Sequence, residues 1–295
     1  MNTAREGKLE YYSRSYGLAC GNRLELGKRT LIMGILNATP DSFSDGGKFN
    51  AVEAAVSRAV EMVAEGADII DIGGESTRPN FVPVDAEEEL RRVIPVIQAV
   101  RAALPNIAIS IDTYKAKTAR HALEAGATII NDIWGLKYDE EMASVAAACG
   151  CPVILTHNRT NPVYLAADFV EDVIADLKES IQIAIHAGVK EEQIWLDPGL
   201  GFAKTYEQNM ELLGRLAELH ALGYPVLLGT SRKSFIRQTL DLPREELVEG
   251  TAATTALGIA QGCQIVRVHD VRANKRTAVM SDAIIYPRFS KYKNL

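Results

Sequence analysis

The sequence predicts an α/β protein folded as a single (β/α)8 TIM barrel, with a short N-terminal β-hairpin closing the bottom. Three observations predict it. Short apolar runs that suit strands buried on both faces alternate with helical patterns along the chain. The alternation repeats in kind: residues 65–71 (EGADIID), 125–131 (AGATIIN) and 261–267 (QGCQIVR) each show a helix ended by glycine, a short strand and a polar residue at a matching offset. Strands are expected near 30–37, 68–73, 107–112, 129–133, 152–157, 194–197, 225–229 and 264–268, and their starts lie about 33 residues apart, close to the ~30 or more of one βαβ unit. An open doubly wound sheet lacks its main support, since no GxGxxG follows the first strand.

Taken in order, residues 1–17 mix charges with tyrosines and read as a poorly ordered arm. Residues 18–30, with turn signals at Gly21-Asn22 and Gly27-Lys28, read as the hairpin. Residues 18–288 form one domain and 289–295 a C-terminal tail. The first barrel strand is the run 31–36 (LIMGIL), which turns abruptly polar at Asn37. The loop that follows is rich in Pro, Asp, Ser and Gly yet carries Phe43 and Phe49, so it looks built to close over something. Near the other end, residues 249–261 form a helix dominated by small side chains, which permits close helix–helix approach.

Composition bounds the function. With 295 residues, 47% of them hydrophobic and 24% charged, the chain can bury a core that needs no disulfide. Its four cysteines show no CxxC spacing and are expected to be buried thiols of a reducing compartment rather than ligands. The net charge of −6 disfavours nucleic acid as a partner, so any anionic ligand needs a local cluster of cations. No apolar h-region opens the chain, and the run 143–155, interrupted by Gly150 and Pro152, falls short of the ~18 residues of a membrane span. A cytoplasmic protein without a membrane partner is expected.

In a barrel the C-terminal strand ends converge on one mouth. There the sequence places Asn37, Asp71 with Glu75, Asp112, Asn131 with Asp132, His157 with Asn158, Asp197, Lys233, and Arg267 with His269. A polar residue after a strand is often only a helix N-cap, and for Asp71, Asp132 and Asp270 that explanation stands beside the functional one. Capping does not explain the set, because it predicts Ser, Thr and Asp rather than Lys, Arg and His.

Asp112, Asn131, Asp197 and Lys233 offer the acceptors, amide and cation that a flat nitrogen heterocycle would need. Arg267, His269 and Asn37, joined by Arg78 and Arg232, form a cationic side suited to phosphate, and the Asn37 oxygen could serve a magnesium ion that keeps most of its ligands as water and phosphate. No residues have the spacing of a dedicated metal site. His121, His186 and His220 fall in helical stretches as surface residues, whereas His157 fits a structural role as well as a catalytic one.

Seven blocks then carry a resemblance: 37–47 (NATPDSFSDGG), 73–79 (GGESTRP), 110–114 (SIDTY), 131–134 (NDIW), 197–204 (DPGLGFAK), 229–234 (GTSRKS) and 267–270 (RVHD). In that order they resemble the dihydropteroate synthases of folate synthesis. The resemblance implies a magnesium-assisted transferase, paired through its last helices as a homodimer, that joins 6-hydroxymethyl-7,8-dihydropterin diphosphate to 4-aminobenzoate. It implies that Asp112, Asn131, Asp197 and Lys233 hold the pterin with Ile133, Ile154 and Phe202 around the ring. Asn37, Arg78, Arg267 and His269 would hold the diphosphate, with Asn37 on the metal. Phe43, Asp45, Thr77, Arg78, Pro79, Lys233 and Ser234 would close the aminobenzoate site, with Asp45, Arg78, Asp112, Lys233 and Arg267 as the catalytic set. The chain departs from the family pattern at Thr156, where Met is usual, and at Asn80-Phe81, where a glycine usually follows Pro79.

A methyltetrahydrofolate:corrinoid methyltransferase would share the barrel and the pterin, but it has no need of the 37–47 loop or of residues 231–234. A non-catalytic pterin-binding paralogue would keep the pocket without turnover. An aldolase-type barrel fails, because the sixth strand carries no lysine and the loop after the eighth has no glycine cup.

Overall fold

The computed structural model describes residues 13–38, 47–75, 83–166 and 168–286. Phe43, Asp45, Thr77, Arg78, Pro79, Asn80 and Phe81 lie outside the described residues, as does the tail at 289–295. The barrel strands are β3 (Leu31–Asn37), β4 (Ile69–Gly73), β5 (Ala108–Asp112), β6 (Ile129–Asp132), β7 (Val153–Thr156), β8 (Ile194–Asp197), β9 (Leu227–Leu228) and β10 (Ile265–Val268). They hydrogen-bond in parallel in the order β8-β7-β6-β5-β4-β3-β10-β9. The ring closes where Leu196 pairs with Val226 and its N–H donates to Pro225 O at 2.9 Å. The expected eight-stranded barrel is therefore the one observed. The seventh strand is shorter than 225–229, because its ladder runs only against β10 and meets β8 through that single bridge.

The hairpin is present but begins earlier than the sequence suggested. β1 (Arg14–Gly17), inside the stretch read as an arm, pairs antiparallel with β2 (Arg23–Leu26). Its turn is made by Leu18 and Asn22, with Gly21 at φ 83°, a left-handed conformation that glycine adopts without penalty. Alternation along β1 and β2 turns Tyr16, Leu24 and Leu26 onto the floor of the barrel. There they pack in one cluster with Leu31, Met33, Ile69, Ile129, Ile154, Trp195, Leu227 and Ile265 from the strand interiors. Trp195, fully buried, meets Tyr16 edge-on at 5.4 Å and donates its indole N–H to the Tyr16 hydroxyl at 3.0 Å. Burial pushes that hydroxyl up to about 12, so it stays protonated.

The outward strand faces, including Ile32, Ile70, Ile72, Ile109, Ile111 and Ile130, pack beneath the helices. The helices are α1 (Gly47–Glu65), α2 (Ala86–Ala103), α3 (Ala116–Glu124), α4 (Met142–Cys149), α5 (Phe169–His186), α6 (Tyr206–Gly214), α7 (Ser234–Leu240), α8 (Val248–Ala260) and α9 (Val271–Ile285). α2 shows why they form: Asp85 caps its start by accepting the Glu88 N–H at 2.7 Å, and Val93, Val96, Ile97 and Val100 recur on the buried face. Among the described residues no helix is long and apolar enough to cross a membrane. Of the cysteines, Cys151 and Cys263 are buried as expected and Cys20 is half-buried, but Cys149, the last residue of α4, is exposed.

The floor is a plug of apolar and aromatic contacts, and its removal has a size. Trp195→Ala should cost about 3–5 kcal/mol in urea unfolding. Tyr16→Phe, which leaves the indole N–H buried without an acceptor, should cost about 1–3 kcal/mol. Unchanged midpoints would show that the hairpin rests on the barrel without supporting it.

Candidate active site

The mouth is organised by Arg267 on β10. Its Nε donates to Asp71 Oδ2 at 2.6 Å and its Nη2 to Asp112 Oδ2 at 2.5 Å, so one guanidinium ties β10 to β4 and β5. Asp71 is fully buried and also accepts from Asn131 Nδ2 at 3.3 Å. Its capping explanation is thereby set aside: Asp71 belongs to the interior of the mouth. The register explains the meeting, since Asp112 lies opposite both Gly73 and Asn131, and Asp71 opposite Ile35 and Ser110. Among the described residues Asp71 Oδ1 and Ser110 Oγ are buried without a hydrogen-bond partner.

Burial pushes the Asp112 carboxyl up to about 7 against the pull of Arg267. Burial likewise raises Asp197, with Lys233 pulling it down. The Asp197 Oδ1 accepts the Gly199 N–H at 2.7 Å. Among the described residues no donor reaches Asp112 Oδ1, Asn131 Oδ1 or Asp197 Oδ2.

Lys233 stands just before α7, in the N-cap position but without a capping bond. Its ammonium donates to Leu200 O and lies 4.7 Å over the Phe202 ring. Burial pulls it down to about 8, opposed by Asp197. Arg232, beside it, adopts φ 57°, a strained conformation for a side-chain-bearing residue. The strain is held by Asp270, which accepts from Arg232 Nε at 3.0 Å and from Nη2 at 2.5 Å. Arg232, expected on the phosphate side, is thus already paired, and Asp270 spends its carboxylate on that pair rather than on capping α9.

Asn37 ends β3, half-buried and opposite Gly73. His269 Nδ1 contacts Ser231 Oγ at 2.9 Å. Ile133 is buried just past β6, Ile154 lies in the floor cluster beneath the mouth, and Ser234 is exposed at the start of α7. Asp132 is spent locally, but on a turn rather than a helix: it accepts the N–H groups of Trp134 and Leu136 at 2.8 and 2.9 Å, and the next helix begins only at Met142. Glu75 accepts the Tyr114 hydroxyl at 2.6 Å and an ion pair from Lys115. Among the described residues no three His, Cys, Asp or Glu come together as a metal site.

The structure settles the ambiguity at His157. The ring is buried, with Nε2 2.9 Å from Asp176 Oδ2 and Nδ1 2.7 Å from Lys204 Nζ. A lysine ammonium can only donate, so Nδ1 accepts and Nε2 carries the proton given to Asp176. Burial pushes His157 down to about 4, which keeps it neutral. Although burial raises it, the hydrogen bonds from His157 and Arg159 hold the Asp176 carboxyl well below the usual range. His157 is therefore a fixed structural ring. His121 and His186 are exposed as expected, but His220 is buried, 2.8 Å from Gln261 O. Sequence reasoning missed Asp176 and Lys204. Lys204 closes the 197–204 block and was within reach, whereas Asp176 sits mid-helix in α5 with no signal in its neighbours.

A barrel whose mouth offers carboxylates, an asparagine and a lysine beside an arginine defines a class of heterocycle-binding enzymes, and comparison with known proteins supplies the class. The family described as pterin binding enzyme matches residues 33–269, and the chain belongs to it. A dihydropteroate synthase of Clostridium beijerinckii is 58% identical over 261 residues, covering 88% of this chain and 96% of that protein. One from Bacillus subtilis is 55% identical, covering 88% and 90%. Among solved structures, a Clostridium difficile dihydropteroate synthase determined with pteroic acid superposes with a TM-score of 0.86 at 55% identity, over 88% of this chain and 98% of that one. A Xanthomonas albilineans dihydropteroate synthase with 4-aminobenzoic acid gives 0.87 at 40% identity, over 93% and 99%. Within the pterin-binding enzymes this chain stands with the dihydropteroate synthases, transferases of folate biosynthesis.

The assignment of His157 predicts a nitrogen-detected NMR signature: an Nε2–H tautomer that does not titrate between pH 8 and 5. Below about 6.5 the unfolded ring takes up a proton that the folded ring refuses until about 4. This residue therefore lowers stability as pH falls through that window, and His157→Gln should flatten the dependence. Titration of the folded ring near 6.5 would overturn the assignment.

Proposed function

We propose that this chain condenses 6-hydroxymethyl-7,8-dihydropterin diphosphate with 4-aminobenzoate to give 7,8-dihydropteroate and diphosphate in the cytoplasm. The observation that carries the reading is the convergence at the mouth of Asp112 and Asp197, both within the field of the Lys233 cation, with Asn131 opposite Asp112 on the neighbouring strand and Arg267 bonded to Asp112. The acceptors suit the N–H groups of a pterin, Lys233 its ring carbonyl and nitrogen, and Phe202 its flat face. The ligands named with the relatives' structures, pteroic acid and 4-aminobenzoic acid, are the product type and one substrate of this reaction.

In the first step the bond between the pterin methylene carbon and the diphosphate oxygen breaks, and its electron pair leaves with diphosphate. Arg267 and His269 stabilise the departing anion. Asp112 and Asp197, fixed before the reaction begins, stabilise the cation that develops on the pterin. The arylamine lone pair then forms the new C–N bond, and the proton leaves to water. An arylamine is unprotonated at neutral pH, so no general base is required. The aminobenzoate side of this reading, through Phe43, Asp45, Thr77, Arg78 and Pro79 with Ser234, rests on the family motifs.

Asn37 offers one neutral oxygen at the mouth and no carboxylate cage accompanies it among the described residues, which fits an ion that keeps water and diphosphate as its other ligands. Bound there, magnesium would supply charge neutralisation for the leaving group.

We also place the active form as a homodimer. α8 and α9 pack together, and Leu257, Val279, Met280 and Ile284 leave side chains more than half exposed on this pair of helices. Light scattering at micromolar concentration should give twice the chain mass, and Met280→Glu with Ile284→Glu should give a monomer. A monomeric wild type removes this part of the reading.

Diphosphate release with both substrates present is the direct test of the reaction and separates an enzyme from a paralogue that only binds. Lys233→Met should abolish release while the thermal midpoint barely moves. Asp112→Asn should lower pterin affinity on the order of 10²-fold, as when a buried charged partner is neutralised. Because the Lys233 cation is lost as pH rises through about 8, kcat/KM for the pterin should decline above that pH. Wild-type release by Lys233→Met would show that the mouth is not the reacting centre.

A further inference from the structure

The turn after β8 is held by a side chain that the reaction does not use. Lys204 is only partly buried as a residue, yet its ammonium ends on three acceptors: Gly199 O at 2.9 Å, Phe202 O at 3.1 Å and His157 Nδ1 at 2.7 Å. An ammonium has three N–H donors, so all are spent. The first two acceptors are the ends of the turn, and the third is a buried ring that cannot move. Below the ring the chain of contacts continues to Asp176 on α5, which Arg159 grips at 2.5 and 3.0 Å.

What this clamp fixes is the pterin-facing surface. Leu200 O, inside the turn, accepts from Lys233, and Phe202 presents its ring beneath the same ammonium. The turn is under constraint at two places. Gly199 adopts φ 68°, and a Cβ there would fall 1.8 Å from His157 O. Ala203, between Phe202 and Lys204, adopts φ 47°, a conformation that an alanine keeps only when its surroundings impose it. Tyr164 contributes by donating to Ala203 O at 2.8 Å, and Asn209 by donating to Lys204 O at 3.2 Å.

Burial and the neighbouring Lys233 both work against the charge on Lys204, and pull it down to about 7 while Asp197 and Asp176 oppose them. An apolar side chain would fill the space without that cost. The geometry the lysine enforces explains its presence.

We propose that Lys204 is a positioning residue for pterin recognition, clamping the 199–202 turn onto His157 and thereby setting the places of Lys233 and Phe202. The inference rests on the pterin reading above. Binding of 6-hydroxymethyl-7,8-dihydropterin diphosphate by calorimetry, with kcat at saturating pterin and the thermal midpoint, tests it in wild type and Lys204→Met. Pterin Kd should rise by about 10-fold or more and kcat should fall with it, since both depend on the placement of Lys233, while the thermal midpoint stays at the wild-type value. A lysine needed only for folding would instead lower the thermal midpoint and kcat with pterin Kd unchanged, and that result overturns the proposal. Should the Met variant not fold, Lys204→Arg keeps the charge but offers a planar fork that cannot meet three converging acceptors, so the same rise in Kd is expected. Wild-type Kd in either folded variant overturns the proposal alone; a wild-type protein that binds no pterin overturns the underlying reading.

Discussion

A guanidinium suspended between two carboxylates inside a barrel is the constraint on which the mouth depends. Arg267 reaches from β10 to Asp71 on β4 and Asp112 on β5, and burial works against its charge while the carboxylates raise its pKa further. Such groups are expensive to bury, and apolar residues of similar volume often serve stability as well or better. Three carboxylates, Asp71, Asp112 and Asp197, and two cations, Arg267 and Lys233, are held together at the mouth.

The two ends of the barrel divide the labour. At the floor, Tyr16 and Trp195 close an interior made almost wholly of Leu, Ile and Met, and the polar atoms there find each other. At the mouth the same strands end in charge, and the backbone carries the strain of Ala203 and Arg232. Each strained residue is braced by a neighbour, Tyr164 at the first and Asp270 at the second. Apolar packing at one end supplies the rigidity that charged groups at the other require, because a preorganised site must not relax when its ligand arrives.

His157 shows how a reactive residue type becomes scaffold. Its ring sits at the end of a barrel strand, where catalytic groups usually stand, yet both nitrogens are committed and burial holds it neutral. The chemistry of the neighbouring turn passes through it mechanically, as the anchor for Lys204. Its partner Asp176 lies nineteen residues along the chain, on the far side of a loop and half a helix.

Local sequence determined the barrel itself, because strands buried on both faces must be apolar throughout and glycine must end the helices that precede them. It also determined which residues stand at the mouth, since every strand ends there and polarity at an apolar strand's end is visible in one dimension. The motif blocks carried the family for the same reason: each is contiguous. Only the tertiary structure decided which polar residues meet. Asp71 and Asp132 look alike as carboxylates after a strand, but one faces Arg267 across the barrel and the other caps its own turn. The start of the hairpin at Arg14 and the exposure of Cys149 were likewise decided by packing. Hydrogen-bond partners such as Asp176, His157 and Lys204 come from separate elements, and their distances in space follow from barrel closure and register, which no local pattern of residues encodes.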